Sequence, residues 1–178
     1  MNNQTAIITV FTIGHSSRPI DKFITLVKFH SIELVVDVRT IPKSGFNPQF
    51  NGESLKIDLH NNGVSYLHSK GLGGFRHAQQ NSINMGWQAP GFRGYADYMQ
   101  THEFETNLLT LIERAKLART VIMCAEAVPW RCHRSLISDA LSVRGIKVIH
   151  IMSAASARGH TITPWAVVKG VTITYPKQ

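Results

Sequence analysis

Thirteen consecutive residues, MCAEAVPWRCHRS (Met123–Ser135), hold both cysteines of the chain together with a glutamate, a histidine and two arginines. Each type has a distinct use. A cysteine whose thiol ionises is a nucleophile, and neighbouring cationic groups favour the thiolate. Glutamate and histidine transfer protons. Arginine holds phosphate or carboxylate through its planar fork of donors. Six residues separate Cys124 from Arg131, which misses a phosphatase-type cysteine–arginine spacing by one. There is no C-x-x-C redox pair. Cys124, Cys132 and His133 are candidate metal ligands, although structural zinc signatures usually show closer cysteine pairs.

The use of these residues depends on the elements that carry them. AIITVFTI (Ala6–Ile13), IELVVDV (Ile32–Val38), TVIMCA (Thr120–Ala125) and KVIHIM (Lys147–Met152) are continuous apolar, β-branched runs, the pattern of strands buried on both faces. VSYLH (Val64–His68) is a weaker strand candidate. Between them the period changes to helical: Ile20, Phe23, Ile24 and Val27 after Pro19; a short segment ending at Asn62-Gly63; Tyr95–Met99; Phe104–Ala118; and CHRSLISDALSVRG (Cys132–Gly145). Residues 69–92 carry five glycines and read as a long loop. The tail PWAVVKGVTITYP reads as a hairpin turning at Lys169-Gly170. Strands alternating with helices predict one α/β domain over residues 1–178, layered around a mostly parallel sheet flanked by helices.

In such a sheet ligands bind outside the carboxyl ends of the strands. The first strand runs into His15, the second into Asp37 and Arg39, the third into His68 and the fourth into Cys124 and Glu126. If the last helix starts at Cys132, its free N–H groups, with Arg131, His133 and Arg134, form an anion pocket and lower the Cys132 pKa. The expected catalytic set is therefore His15, Asp37, Glu126, Cys132 and His133. The expected anion-binding set is Arg39, Arg131 and Arg134. The loop KGLGGFR (Lys70–Arg76), with Arg93, is a candidate lid. Phe75, Trp87, Phe92 and Tyr95 lie among these basic residues, a mixture suited to stacking on bases.

The charge agrees. A formal +8 and a pI near 9.8 favour anionic partners, although no dense block of lysine and arginine focuses the charge. No apolar run reaches the roughly 18 residues of a membrane span. The N-terminus has no basic leader, and two cysteines make no disulfide framework. A cytoplasmic protein without membrane insertion is expected.

The stretches TIGHSSRPIDKF, LVVDVRTIPKS, NPQFN, YLHSKGLGG, GFRGYADYM and CAEAVPWRCHRS, in this order from about Thr12 to Ile151, resemble a bacterial and archaeal family, the domain of unknown function numbered 488. Relatives carry basic residues after the P-x-S, where this chain has Gly45 and Phe46. The resemblance implies an α/β fold and marks His15, Asp37, Arg39, Cys124, Glu126, Cys132, His133 and Arg134 as motif positions. It implies no activity. The residues themselves support an enzyme acting on a phosphate-bearing substrate, a nucleotide or nucleic acid, bound at the strand ends. A nucleic-acid-binding module without catalysis and a metal-dependent enzyme with His, Asp, Glu and Cys ligands are the alternatives. Cofactor, metal and oligomeric state stay open.

Overall fold

The computed structural model describes residues 7–178; Ala6, the expected first residue of the first strand, lies outside them. Five strands form a parallel sheet: β1 (Thr9–Gly14), β2 (Leu34–Asp37), β3 (Ser65–His68), β4 (Thr120–Cys124) and β5 (Lys147–Ile151). β6 (Ala157–Gly159) adds an antiparallel edge, giving the order β3-β2-β4-β1-β5-β6. The four expected buried strands are all parallel in this one sheet. β6 has no apolar signal, since all three of its residues are exposed; backbone pairing to β5 makes it a strand. The expected terminal hairpin is present as β7 (Val167–Lys169) and β8 (Thr172–Thr174), turning through Gly170 at φ +61°, where the left-handed backbone favours glycine.

Five helices cover the two faces. α1 (Ile20–Phe29) and α2 (Gly52–Asn61) pack on Phe11, Ile13, Val35, Val121 and Met123. α3 (Pro90–Tyr98), α4 (His102–Leu117) and α5 (Arg134–Ser142) pack on Val10, Val36, Ile122 and Val148. Odd and even positions of each central strand thus feed separate cores, which explains why the strands read as unbroken apolar runs. A fully buried Phe23 or Leu108 contributes about 1.5–3 kcal/mol through removal from water. α4 starts where Thr101 Oγ1 accepts from the Phe104 N–H at 3.2 Å, a side-chain cap.

Two boundaries differ from the sequence reading. α3 begins at Pro90, five residues before the expected Tyr95, because proline is pre-set for the first helical turn. α5 begins at Arg134 and not at Cys132. Pro129–Arg131 forms its own 3-10 turn, and Cys132 is extended at φ −137°. Cys132 therefore stands outside the helix, and the helix terminus is not what acts on its thiol.

β4 lies between β1 and β2, and its exit differs from theirs. The chain leaves β1 and β2 for the α1/α2 face, but leaves β4 for α5 on the opposite face. Such a reversal opens a crevice at the carboxyl ends. On the β1 side it is filled: a Cβ on Gly14 would meet the Glu126 carbonyl oxygen at 1.9 Å. On the β2 side it stays open.

Candidate active site between β2 and β4

The open crevice is a cavity of about 500 Å³, within the range of small-molecule sites. The loop after β2 supplies Arg39, Thr40, Ile41 and Lys43. Gly74, Phe75, Gly91 and Phe92 form the far wall. Cys124, Glu126, Arg131, Cys132 and His133 come from the end of β4 and the segment before α5.

Several polar groups converge on Cys132 Sγ. His133 Nδ1 lies 3.6 Å away, and Arg134 Nε donates to the sulfur at 3.4 Å. The Cys124 sulfur lies beside it, within 4.8 Å; this neighbour, with His133 and Arg134, holds the Cys132 pKa well below that of an ordinary thiol. Cys124 is raised, by the same neighbour and by burial. Of the two sulfurs, Cys132 is the one favoured as thiolate. His133 Nε2 donates to the Val38 carbonyl at 2.9 Å, which fixes the ring and turns Nδ1 toward Cys132. A Cβ on Gly74 would meet that Nδ1 at 2.5 Å, so the glycine lets the β3–α3 loop close against the imidazole.

The three ligand atoms of Cys124, Cys132 and His133 lie within 4.8 Å of one another. Tetrahedral zinc with ordinary Zn–S and Zn–N bonds separates sulfur from nitrogen by about 3.6 Å, the distance found. A histidine whose second nitrogen donates to a backbone carbonyl is also the usual partner of a metal. The trio fits a thiophilic cation.

Two expected anion-binding arginines face inward. Arg39 makes a two-pronged ion pair with Asp37, Nε to Oδ1 at 2.9 Å and Nη2 to Oδ2 at 2.6 Å, and Nη2 also donates to the Phe50 carbonyl. Tyr66 Oη donates to the same carboxylate at 2.8 Å. Arg39 reaches the cavity floor with only 6% of its surface exposed. Arg134 is 1% exposed; it binds Cys132 Sγ, Thr12 Oγ1 at 3.3 Å and the Glu126 carbonyl. Arg131 is exposed on the cavity wall with Lys43. Lys43 had no sequence signal beyond its charge in a loop.

His15 is likewise committed. Nδ1 donates to the Ser16 carbonyl at 2.8 Å, Nε2 accepts from Arg39 Nη1 at 3.2 Å, and the ring stacks on Phe50 at 4.2 Å. Burial, then the positive Arg39, lowers its pKa from 6.5 to about 4. His15 and Asp37 orient Arg39 and do not line the cavity. Glu126 does, exposed, and among the described residues its carboxylate has no hydrogen-bond partner. The aromatic residues divide: Phe75 and Phe92 line the cavity, whereas Tyr95 is core and donates to the Leu72 carbonyl. Arg93 points to the Trp87 carbonyl and Arg76 lies 3.5 Å over the Tyr98 ring, so KGLGGFR is pinned to α3.

Behind the site runs a buried polar chain. With one proton on each ring, Arg134 donates to Thr12, Thr12 to His150 Nδ1 at 2.7 Å, His150 Nε2 to His160 Nδ1 at 3.0 Å, and His160 Nε2 to Asp139 Oδ1 at 2.7 Å. His150 is held near pKa 4 by burial and by His160. His15 and His150 thus both bind their second proton less readily folded than unfolded. The unfolded chain takes up protons first as pH falls below about 6.5. Stability is whole above that pH and declines toward 4, by up to about 1.4 kcal/mol per pH unit for each ring. Melting temperature followed by circular dichroism from pH 7.5 to 4.5 should drop steadily below 6.5; a flat profile would show that neither ring stays neutral in the fold.

No helix among the described residues is long and apolar enough to cross a membrane. A family model described as "Domain of unknown function DUF488" matches residues 19–141. That span contains every motif position named above except His15. No curated protein and no solved structure matches the chain.

Proposed function

The chain belongs to the DUF488 domain family, whose description states no activity, and from the site itself we propose an enzyme that uses Cys132 on a phosphate-bearing substrate, a nucleotide or nucleic acid, in the β2–β4 crevice. The observation that carries this reading is the setting of Cys132 Sγ, which faces a cavity while Cys124, His133 and Arg134 converge on it. Thiolate character is what nucleophilic catalysis requires. His133 Nδ1 lies beside the sulfur to exchange its proton, and Glu126 is the acid–base group across the cavity. Lys43 and Arg131 meet the phosphate, with Arg39 at the floor. Ile41, Phe75 and Phe92 give the flat apolar walls on which a base stacks.

Protection of Cys132 from alkylation tests this reading. A nucleoside monophosphate should slow labelling of the intact protein in a saturable way. The Lys43→Ala/Arg131→Ala pair should raise the concentration needed by about tenfold or more, since each removes a charged contact. If neither mononucleotides nor short oligonucleotides protect, the phosphate assignment falls. If oligonucleotides alone protect, with a steep salt dependence, the binding-module reading takes over.

The 3.6 Å spacing of Cys132 and His133 favours a second reading, a metal-dependent enzyme with Cys124, Cys132 and His133 as ligands. Retention of about one zinc per chain after purification, with Cys132 labelled only after chelation, would favour this reading over the free thiolate.

A further inference from the structure

A second cavity, of about 270 Å³, lies on the far side of the segment that carries Cys132. Pro129, Trp130 and Ser135 line it, whereas Arg131, Cys132 and His133 of the same segment line the first. Its other walls include Trp87, Trp165, Arg158, His150 and His160. All three tryptophans of the chain therefore meet at this one place.

The hydrogen-bond balance of this cavity is one-sided. The Nε1–H groups of Trp87 and Trp165 are buried and have no acceptor among the described residues, and an unmet buried donor is costly enough to need a reason. Nearby acceptors are already taken. Asp139 accepts from His160 and the Thr163 N–H through Oδ1, and from Thr163 Oγ1 and Tyr175 Oη through Oδ2. His150 and His160 spend their facing nitrogens on each other. Two indole N–H groups and the Arg158 guanidinium are unspent among the described residues, and the guanidinium sits 5.4 Å from the centre of the Trp130 ring. Three indoles supply flat apolar walls, with Trp87 and Trp165 edge to face at 5.3 Å.

We propose that this second cavity binds a small planar carboxylate, its ring against the indole walls and its carboxylate accepting from the indole N–H groups and Arg158. A carboxylate matches two unmet donors beside one cation. A flat body matches walls of tryptophan. Trp87 also stacks on Phe92 of the first cavity at 4.8 Å, so the two cavities share a wall and an aromatic pair.

Benzoate is the probe, and the tryptophans report on it. In ¹H–¹⁵N spectra of the whole chain, benzoate should shift the Trp87 and Trp165 indole signals together and saturably, with a Kd on the order of 0.1–1 mM. Benzyl alcohol, which lacks the charge, should not do so in that range. Trp165→Phe keeps an aromatic wall, though a smaller one, and removes one donor; it should raise the Kd by about tenfold. If that variant fails to fold, Arg158→Gln, at an exposed position, carries the same expectation. Any of the following overturns the proposal: no saturable shift up to about 10 mM, equal shifts with benzyl alcohol, shifts confined to the exposed Trp130, or an unchanged Kd in a folded variant.

Discussion

Exchanging Cys132 for alanine should leave a folded protein that has lost its fast thiol, with alkylation by iodoacetamide at pH 6 slowed by about a hundredfold or more. At that pH an ordinary thiol of pKa about 8.5 is roughly 0.3% ionised. The Cys132 thiol, beside Cys124, His133 and Arg134, has its pKa lowered well below that and is ionised to a far larger extent. The gain in rate is smaller than the gain in thiolate, because nucleophilicity falls with pKa; a hundredfold allows for that. Cys124 does not compensate, since its thiol is raised well above the ordinary pKa by its neighbour Cys132 and by burial. Mass spectrometry of digested protein after timed labelling reads both sites separately. Labelling of Cys124 ahead of Cys132, or a Cys132 rate that rises only near pH 8.5, would remove the nucleophile from the proposed function. Activity on any substrate found later should be lost to the same extent in Cys132→Ala.

The second large effect concerns stability. Asp37→Ala should lower the melting temperature by about 10 °C. Asp37 is fully buried and receives the Arg39 side chain at two oxygens, the Arg39 backbone N–H and the Tyr66 hydroxyl. Removing one partner of such a pair leaves a buried guanidinium uncompensated, a cost of about 3–5 kcal/mol, and each kcal/mol moves a chain of this size by roughly 2–4 °C. Replacing both groups by apolar residues, Asp37→Leu with Arg39→Met, should cost less than the single change, because no charge is then stranded. Thermal denaturation of both variants compares them directly. Equal losses would mean that packing of the β2 end, and not the ion pair, is what the single substitution disturbs. The double variant should still lose protection of Cys132 by nucleotides, because Arg39 forms the cavity floor.

The sheet and helices were legible because burial on both faces leaves a strong local trace: Val35 and Val36, adjacent in β2, serve opposite cores, and both must be apolar. Arg39 and Glu126 were legible as cavity residues from strand ends, and Cys132 and His133 from the segment that leads into the last helix. What each group does there was not. Arg134 reads as a free cation at a helix start, yet its partner Thr12 lies 122 positions earlier, and no local pattern announces that pairing. His15 and Asp37 read as acid–base groups because sequence shows ionisable types and hides their burial. Cys132 was placed inside α5 because the apolar period extends back to it; the 3-10 turn opened by Pro129 breaks that helix before its first turn. The second cavity left two faint signs, a histidine inside the apolar β5 and a threonine inside the apolar β1, and both belong to the polar chain that links the two cavities.

The position of β4 between β1 and β2 also sets the order of events during synthesis. Val10 pairs with Thr120, 110 positions later, so β1 leaves the ribosome long before its neighbour on that side exists. β2 and β3 are close in sequence and can pair early, while β1 waits as an unpaired apolar edge. Non-local pairing of this kind slows folding and exposes strand edges to aggregation. Both cysteines lie in or just after β4, the first strand able to pair with β1, and β5 arrives later still on its other side. The site around Cys132 therefore belongs to the second half of synthesis, after β1 and β2 have long been made.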